Sequence, residues 1–166
     1  MLNSIFTRRS IRRFTDKPVE QEKLDKILKA GMQAPSAHNG QPWEFLVITD
    51  DEIKQAVSKM SPYAGMVAKA PVTIIVLGKT DTNMQRWIQQ DLSACTQNIL
   101  LQIAEEGLGG CWMGFYPDED RIKACREYFD LPENIVPFSV IALGYGVDEN
   151  KFVDRSDMSK VHYNKY

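Results

Sequence analysis

The sequence contains no apolar segment long enough to cross a membrane: a run such as 72–77 has six residues, whereas a spanning helix needs about 20. Residues 1–9 lack the long apolar core of a signal peptide. Cysteine is also scarce. Cys95, Cys111 and Cys125 are odd in number and lack Cys-x-x-Cys spacing, which argues against a disulfide framework and a structural zinc site. We therefore expect a cytoplasmic protein with no membrane partner and no metal.

The sequence also lacks an excess of charge of one sign. Its formal net charge is −2 at pH 7, so the chain as a whole has no electrostatic reason to bind nucleic acid or an anionic membrane. Hydrophobic residues make up 43% and charged residues 25% of the chain, which is typical of a soluble globular protein. The length of 166 residues predicts a single domain over 1–166, in which 147–166 forms a polar, partly basic C-terminal arm.

Hydrophobic periodicity predicts elements in the order helix, helix, strand, helix, strand, helix, strand, helix, strand. The strand at 72–77 is almost entirely apolar and should be central. The helix at 87–106 carries a broad apolar stripe and should be buried, in part against another subunit. This order favours an α+β or α/β layered fold with a modest sheet. The helices cover about 3–8, 19–32, 51–60, 87–106 and 118–129, and the strands cover 43–48, 72–77, 111–115 and 136–145.

Residues 8–14 read Arg-Arg-Ser-Ile-Arg-Arg-Phe and concentrate four arginines within six positions. A guanidinium is permanently charged and grips a phosphate with two hydrogen bonds, and Ser10 adds a hydroxyl. One interpretation is a phosphate or carboxylate site, and another is a solvated basic face. A third is a nucleic-acid-binding arm, which the acidic balance of the whole chain disfavours.

The segment 35–42, Pro-Ser-Ala-His-Asn-Gly-Gln-Pro, is a loop by composition. Its two prolines pre-order the backbone, and the side-chain amides of Asn39 and Gln41 donate and accept hydrogen bonds at once. This combination suits the edge of a heteroaromatic ring that carries both carbonyl and N–H groups. An ordinary surface turn before the next strand explains the same residues equally well.

Glycines are concentrated at 107–114, where the sequence is Gly-Leu-Gly-Gly-Cys-Trp-Met-Gly. Glycine lets a backbone approach a flat ligand closely. A dinucleotide-binding fingerprint is excluded, because Trp112 stands where its last glycine belongs and because the stretch leads from a helix into a strand. A glycine-rich helix C-cap accounts for Gly107 or Gly109 but less well for Gly114.

The chain offers no obvious nucleophile or metal site of its own. No Ser/His/Asp pattern or carboxylate pair is visible, the cysteines lie on apolar stripes, and His38 and His162 stand alone. We therefore predict no catalytic side chain and expect any enzyme activity to come from a bound cofactor.

Together these motifs resemble the nitroreductase family, of which this chain looks like a short, single-domain member. Each motif is weak alone, but four of them in the family's order are specific. They are 8–14, Ala34-Pro35-Ser36 through Asn39-x-Gln41-Pro42-Trp43, Gly107-Leu108-Gly109 through Trp112-Met113-Gly114, and Arg155 to His162-Tyr163-Asn164.

The resemblance implies an α/β sandwich with a central, mostly antiparallel sheet flanked by helices, and an intertwined homodimer with FMN at the interface. It implies NAD(P)H as electron donor, a ping-pong cycle, and a flat small-molecule acceptor such as a nitroaromatic or a quinone. The cofactor-binding positions that it carries over are Arg8, Arg9, Ser10, Arg12, Pro35, Ser36, Asn39, Gln41, Trp112, Met113, Gly114 and Arg155.

The arginine motif and the chain's end match positions that hold the flavin itself. The resemblance implies that Arg8, Ser10 and Arg12 hold the phosphate, the ribityl chain and the pyrimidine edge, and that Arg155 holds the phosphate. A cation beside the pyrimidine edge stabilises the negative charge that reduction leaves on the ring, and Arg12 is the candidate for this role.

The other two motifs match positions around the ring. By the resemblance, Pro35 and Ser36 reach the flavin of the other subunit, and Asn39 and Gln41 lie near the ring. The stretch 112–114 runs beside the isoalloxazine and supplies the backbone N–H that faces N5.

The chain departs from larger members of the family in two respects. It is shorter, so their additional helices over the site are missing, and Phe115-Tyr116-Pro117 offers no match to the Glu-Gly pair that approaches flavin N5 in those proteins. Two alternatives therefore stay open beside a general reductase. They are a specialised flavin reaction, such as dehydrogenation or reductive dehalogenation, and a flavin-binding sensor or carrier without turnover.

Overall fold

The computed structural model describes residues 3–81 and 85–166 of the chain. Four short 3-10 segments, at Ala37–Asn39, Gly65–Lys69, Gln85–Trp87 and Met158–Lys160, lie between or after the main elements. The helices are α1 (Asn3–Thr7), α2 (Gln21–Met32), α3 (Asp51–Ser58), α4 (Ile88–Glu105) and α5 (Glu119–Tyr128), and the strands are β1 (Trp43–Ile48), β2 (Val72–Lys79), β3 (Gly109–Gly114) and β4 (Ile135–Gly144).

The predicted order of helices and strands is confirmed, and the differences are at the ends of elements. Helix α2 begins two residues later than predicted, because Glu20 has an extended backbone (φ −66°, ψ 136°) and serves as the N-cap. Strand β3 begins two residues earlier than predicted, because Gly109 and Gly110 already pair with β4. Asp50 caps α3 and Asp118 caps α5 with side-chain hydrogen bonds, to the N–H groups of residues 53 and 121.

The four strands form one antiparallel sheet in the order β1-β2-β4-β3. The prediction that the apolar strand at 72–77 is central is confirmed, since β2 lies between β1 and β4 and its residues 72–78 are all buried. Strands β1 and β3 are the two edges. About 14 Å separates these edges, because three strand spacings of about 4.8 Å lie between them.

Helices cover both faces of the sheet. Alternate residues of β2 point to opposite sides, so that Ile74 packs in the core with α2 and α4, and Ile75 packs in the core with α3 and α5. The predicted mostly antiparallel sheet flanked by helices is therefore confirmed. None of the helices in the two described ranges combines the length and the apolar character that crossing a bilayer requires.

Helix α4 is buried as predicted, but its cover comes from the same chain. Leu92, Cys95 and Ile99 have no exposed surface, and they belong to one core cluster with residues of α2 and of the sheet. The apolar stripe of α4 therefore does not itself call for a second subunit.

The start of the chain adds to the open edge of β3. The N–H of Ile11 donates to the carbonyl of Gly110 at 3.0 Å, and Ser10 forms a parallel bridge with the same glycine. Gly109 makes this approach possible, because a Cβ at that position would lie 2.6 Å from the Cβ of Ile11. Of the two glycines considered as a helix cap, Gly107 ends α4 with a φ of 73°, whereas Gly109 is a strand residue at a close contact.

We expect Gly109→Ala to destabilise the fold by about 1–3 kcal/mol, the usual cost of overpacking a closely packed contact. The added methyl would clash with the Cβ of Ile11, which is 4% exposed. Rotation of the Ile11 side chain cannot relieve this clash, because the backbone fixes the position of a Cβ. Chemical denaturation of the purified variant measures this change in the free energy of unfolding.

Gly65→Ala is the matched control for that variant, because nothing lies within 4 Å of a Cβ at position 65. We expect it to change the free energy of unfolding by less than about 0.5 kcal/mol. Equal effects of the two substitutions would contradict the close packing of Ile11 on Gly109.

Candidate functional site

The outer edge of β3 carries backbone N–H groups that are free to bind a ligand. In an antiparallel pair, successive residues of an edge strand direct their N–H and C=O groups alternately toward the partner strand and away from it. The carbonyl of Gly110 points away from β4, since it accepts from Ile11, and the N–H of Phe115 points toward β4, since it donates to Phe138 at 3.0 Å. Trp112 and Gly114 therefore direct their N–H groups outward, and within the described residues neither N–H donates a hydrogen bond.

A cavity of about 470 Å³ lies beside that edge, and Arg12 is among the residues that line it. The structure thus brings the arginine motif and the glycine-rich stretch together, as the sequence analysis expects. The hydroxyl of Ser10 is not among the groups that line the cavity. The lining residues are Arg12, Ser61, Tyr63, Met66, Cys111, Trp112, Met113, Gly114 and Arg121.

A second cavity, of about 330 Å³, brings the two ends of the chain together at Arg9 and Arg155. Burial lowers the pKa of Arg9, and the positive charges of Arg155 and Arg8 lower it further. The Nε of Arg9 is buried and finds no hydrogen-bond partner among the described residues, although its terminal nitrogens donate to the carbonyls of Arg8 and Phe6. An anion bound between these guanidinium groups would relieve their mutual repulsion.

Ion pairing separates Arg155 and the four arginines of the motif into two groups. Arg13 pairs with Asp148 at 2.5 Å on the surface. In the part of the chain that the structure describes, Arg8, Arg9, Arg12 and Arg155 have no carboxylate within the 4.0 Å of an ion pair. These four guanidinium groups therefore remain available to an anionic ligand.

Asn150 holds the arginine motif in place and was missed by sequence reasoning. Its Oδ1 accepts from the N–H of Arg9 at 3.0 Å, and its Nδ2 donates to the carbonyl of Leu108 at 2.9 Å. The side chain thus joins residues 9 and 108 across a large sequence distance. A lone asparagine in a polar tail gives no local pattern from which this role could be predicted.

The loop before β1 has an ordered and strained backbone. His38, Asn39 and Gln41 have φ values of 51°, 56° and 45°, a left-handed conformation that residues other than glycine adopt at a cost. The Ser36 hydroxyl accepts from the N–H of Gln41 at 3.0 Å. The Asp91 carboxylate, on buried α4, accepts from the N–H of residue 37 at 3.0 Å. Such strain, held in place by specific contacts, is typical of functional loops.

This loop lies at the β1 edge of the sheet, away from the cavity beside β3. Pro35, Ser36, Asn39 and Gln41 are therefore not brought together with Arg12 within one chain, since three strand spacings separate the two edges. The Nε2 of Gln41 donates to the Oδ1 of Asn39 at 3.1 Å, so the two amides expected near a ring do lie side by side.

Besides Cys111, which the sequence assigns to the core, four residues that line the β3-edge cavity lie outside the predicted site. Ser61, Tyr63 and Met66 come from the connection between α3 and β2, and Arg121 comes from the first turn of α5. None of them belongs to a recognisable motif. Only the packing of α3 and α5 on the same face of the sheet places them beside β3.

The cysteines are not suited to act as nucleophiles. Burial raises the pKa of Cys95 and of Cys125 to about 12. Burial also raises the pKa of Cys111, although the charge of Arg12 opposes the shift. All three thiols are buried and stay protonated at neutral pH, which agrees with their assignment as core residues.

Comparison with known proteins gives the chain a family. The model of the nitroreductase family matches residues 5–65 and 57–145. A protein of Archaeoglobus fulgidus, for which the name NADH dehydrogenase/NAD(P)H nitroreductase is proposed, is 44% identical, with 99% of this chain and 98% of that protein covered.

Solved structures agree with the sequence relatives. A Clostridium acetobutylicum protein, for which the name NADH oxidase is proposed, has a TM-score of 0.96 at 45% identity, covering 98% of this chain and 99% of that one. A Desulfovibrio desulfuricans protein proposed to be a nitroreductase, solved in complex with FMN, has a TM-score of 0.85 at 30% identity, covering 99% and 96%. The resemblance found in the sequence is confirmed, and the chain belongs to the nitroreductase family.

Proposed function

We propose that the protein is an FMN-dependent oxidoreductase that uses NAD(P)H to reduce nitroaromatic, quinone or similar flat acceptors in a ping-pong cycle. The observation that carries this proposal is the pairing of two kinds of binding group at one edge of the sheet. As far as residues 3–81 and 85–166 show, guanidinium groups without ion-pair partners lie there beside strand N–H groups without hydrogen-bond partners.

The residues present fit FMN. Its phosphate is an anion, which suits Arg8, Arg9 and Arg155, and the Nε of Arg9 has no hydrogen-bond partner in the described ranges. Its flat ring has acceptor atoms along one edge, which suit the outward N–H groups of Trp112 and Gly114. Ser10, which bridges to Gly110 at the same edge, would add a hydroxyl for the ribityl chain.

Bound FMN would supply hydride acceptance from a nicotinamide and electron delivery to a second substrate. Arg12 would then stabilise the negative charge of the reduced ring in a partly desolvated cavity. Met113 is buried at 6% exposure and packs this stretch of β3 against the core. No side chain needs to act as a nucleophile in this scheme.

We propose that the complete site forms between two copies of the chain. Pro35, Ser36, Asn39 and Gln41 lie at the sheet edge opposite Arg12, so a second copy would have to supply them to the same ligand. The tail also lacks cover in one chain, since residues 151–166 are all exposed. Its exposed apolar side chains are Phe152, Val153, Met158, Val161, Tyr163 and Tyr166.

The first prediction concerns the cofactor. We expect the purified protein to be yellow and to release FMN on heating, identified by chromatography, and to oxidise NADH or NADPH when a quinone or nitroaromatic is added. A colourless protein that takes up no added FMN would overturn the proposal. Bound FMN without steady-state turnover would instead favour a flavin-binding sensor or carrier.

The second prediction separates phosphate binding from stabilisation of the ring. A charge-assisted hydrogen bond contributes about 1.5–3 kcal/mol, so Arg155→Ala should weaken FMN binding by roughly ten- to a hundredfold. Its activity should return with excess FMN. Arg12→Ala should stay slow in hydride transfer at saturating FMN, because the charge that stabilises the reduced ring is gone.

Arg13→Ala is the control for both substitutions, because Arg13 lies in the same motif but pairs with Asp148 outside the two cavities. We expect it to bind FMN and turn over like the parent protein. Full recovery of Arg12→Ala with FMN would reduce the role of Arg12 to anchoring. Parent-like behaviour of all three variants would refute the assignment of these residues.

The third prediction concerns assembly. We expect light scattering of the FMN-bound protein to give the mass of a dimer, about twice the 18.9 kDa of the chain. The exposed apolar side chains of 151–166 would gain cover by lying on a second copy. A stable, FMN-bound monomer would contradict the two-chain site.

A further inference from the structure

Arg121 is held in one orientation by three contacts at the rim of the β3-edge cavity. Its Nη1 donates to the carbonyl of Gly114 at 2.9 Å. Its Nε pairs with the carboxylate of Asp118 at 3.0 Å. Its guanidinium carbon lies 5.5 Å from the ring centre of Tyr63. A planar guanidinium that makes a hydrogen bond through one nitrogen and an ion pair through another cannot rotate without losing one of these contacts.

These contacts fix the end of β3 to the start of α5. Asp118 caps α5 by accepting from the N–H of residue 121 at 3.2 Å, so the same carboxylate holds both the backbone and the side chain of Arg121. The N–H groups of Phe115 and Tyr116 both donate to the carbonyl of Phe138 at 3.0 Å. The connection from β3 to α5 is thereby fixed on its inner side by β4 and on its outer side by Arg121.

Strand geometry determines where the backbone N–H and C=O groups of Gly114 point. The N–H and C=O groups of one residue in an antiparallel strand point to the same side. Arg121 occupies the carbonyl of Gly114, and the N–H of Gly114 stays open on that side. A glycine at a strand end has wide backbone freedom, and the nearest atom to a Cβ there would be 3.6 Å away, so packing alone does not hold it.

We propose that Arg121 is a positioning residue for FMN, which fixes the Gly114 N–H toward the ring and, with Arg12, sets the positive charge of the cavity. This inference rests on the proposed function. Asp118 is the counterpart of Arg121: it holds the guanidinium in place and partly offsets its charge. The pair therefore adjusts the electrostatic environment of the ring, whereas Arg12 acts without a carboxylate partner among the described residues.

The test measures the midpoint potential and the dissociation constant of FMN in full-length variants. Arg121→Met leaves the Asp118 carboxylate without its partner, so the reduced, negatively charged ring is disfavoured and the potential should fall. We expect about a tenfold change in the reduction equilibrium, which is about 30 mV for a two-electron couple. FMN binding should weaken about five- to tenfold, because the Gly114 N–H is no longer fixed.

Two further variants separate charge from positioning. Asp118→Asn keeps an oxygen that accepts from residue 121 but removes the negative charge, so the potential should rise. Arg121→Lys keeps the charge but cannot bond to Gly114 and Asp118 in the same fork, so FMN binding should weaken while the potential stays near that of the parent.

Arg126→Met is the matched control. Arg126 lies on the same helix and also donates to a backbone carbonyl, that of Pro132 at 2.7 Å, but it does not line the cavity. We expect it to leave the potential and the FMN dissociation constant unchanged.

Three outcomes decide between the inference and the proposed function. Opposite shifts of potential for Arg121→Met and Asp118→Asn, with Arg126→Met unchanged, support the inference. A parent protein that binds FMN, with Arg121→Met and Arg121→Lys both equal to Arg126→Met, would overturn the role of Arg121 and leave the proposed function intact. A parent protein that binds no FMN would overturn both. If Arg121→Met does not fold, the shifts of Asp118→Asn and Arg121→Lys decide.

Discussion

The docking of residues 10 and 11 on the outer edge of β3 is the interaction on which the candidate site depends. One hydrogen bond, from the N–H of Ile11 to the carbonyl of Gly110, and one close contact, of Ile11 on Gly109, set the register. In the described ranges this pairing ends at Gly110, so the outward backbone groups of the following β3 residues are not paired with the start of the chain. The same interaction thus places Arg12 beside the strand and leaves the N–H groups of Trp112 and Gly114 open.

Several arginines near that edge have no carboxylate at ion-pair distance among the described residues. Arg13, which lies outside the two cavities, has a carboxylate partner in Asp148. Arg9 is instead buried at its Nε and close to further guanidinium groups, which lowers its pKa. Holding guanidinium groups close together costs free energy because they repel one another, and an anionic ligand offsets that cost. The concentration of unpaired guanidinium groups is therefore better explained by binding than by stability.

The strained loop before β1 presents an ordered polar surface at the opposite edge of the sheet. Left-handed backbone at His38, Asn39 and Gln41 costs free energy that the fold of one chain does not visibly need. Contacts from Ser36 and from Asp91 on α4 hold the loop in that conformation. A rigid scaffold that presents an ordered polar loop at one edge and open N–H groups at the other suits a site shared by two copies.

The sequence by itself determined the order of the elements, the residue types of the motifs that the fold places at the sheet edges, and the family. Hydrophobic periodicity identifies α4 and β2. The residue types of the motifs at 8–14 and 107–114 can likewise be recognised without knowledge of the fold. Which residues meet was decided by the tertiary structure alone. Arg12 reaches 112–114 and Asn39 does not, because strand pairing, which joins residues about a hundred positions apart, sets those distances. Arg121 and Asn150 gained their roles the same way, since a single arginine or asparagine acquires a partner only when distant elements pack together.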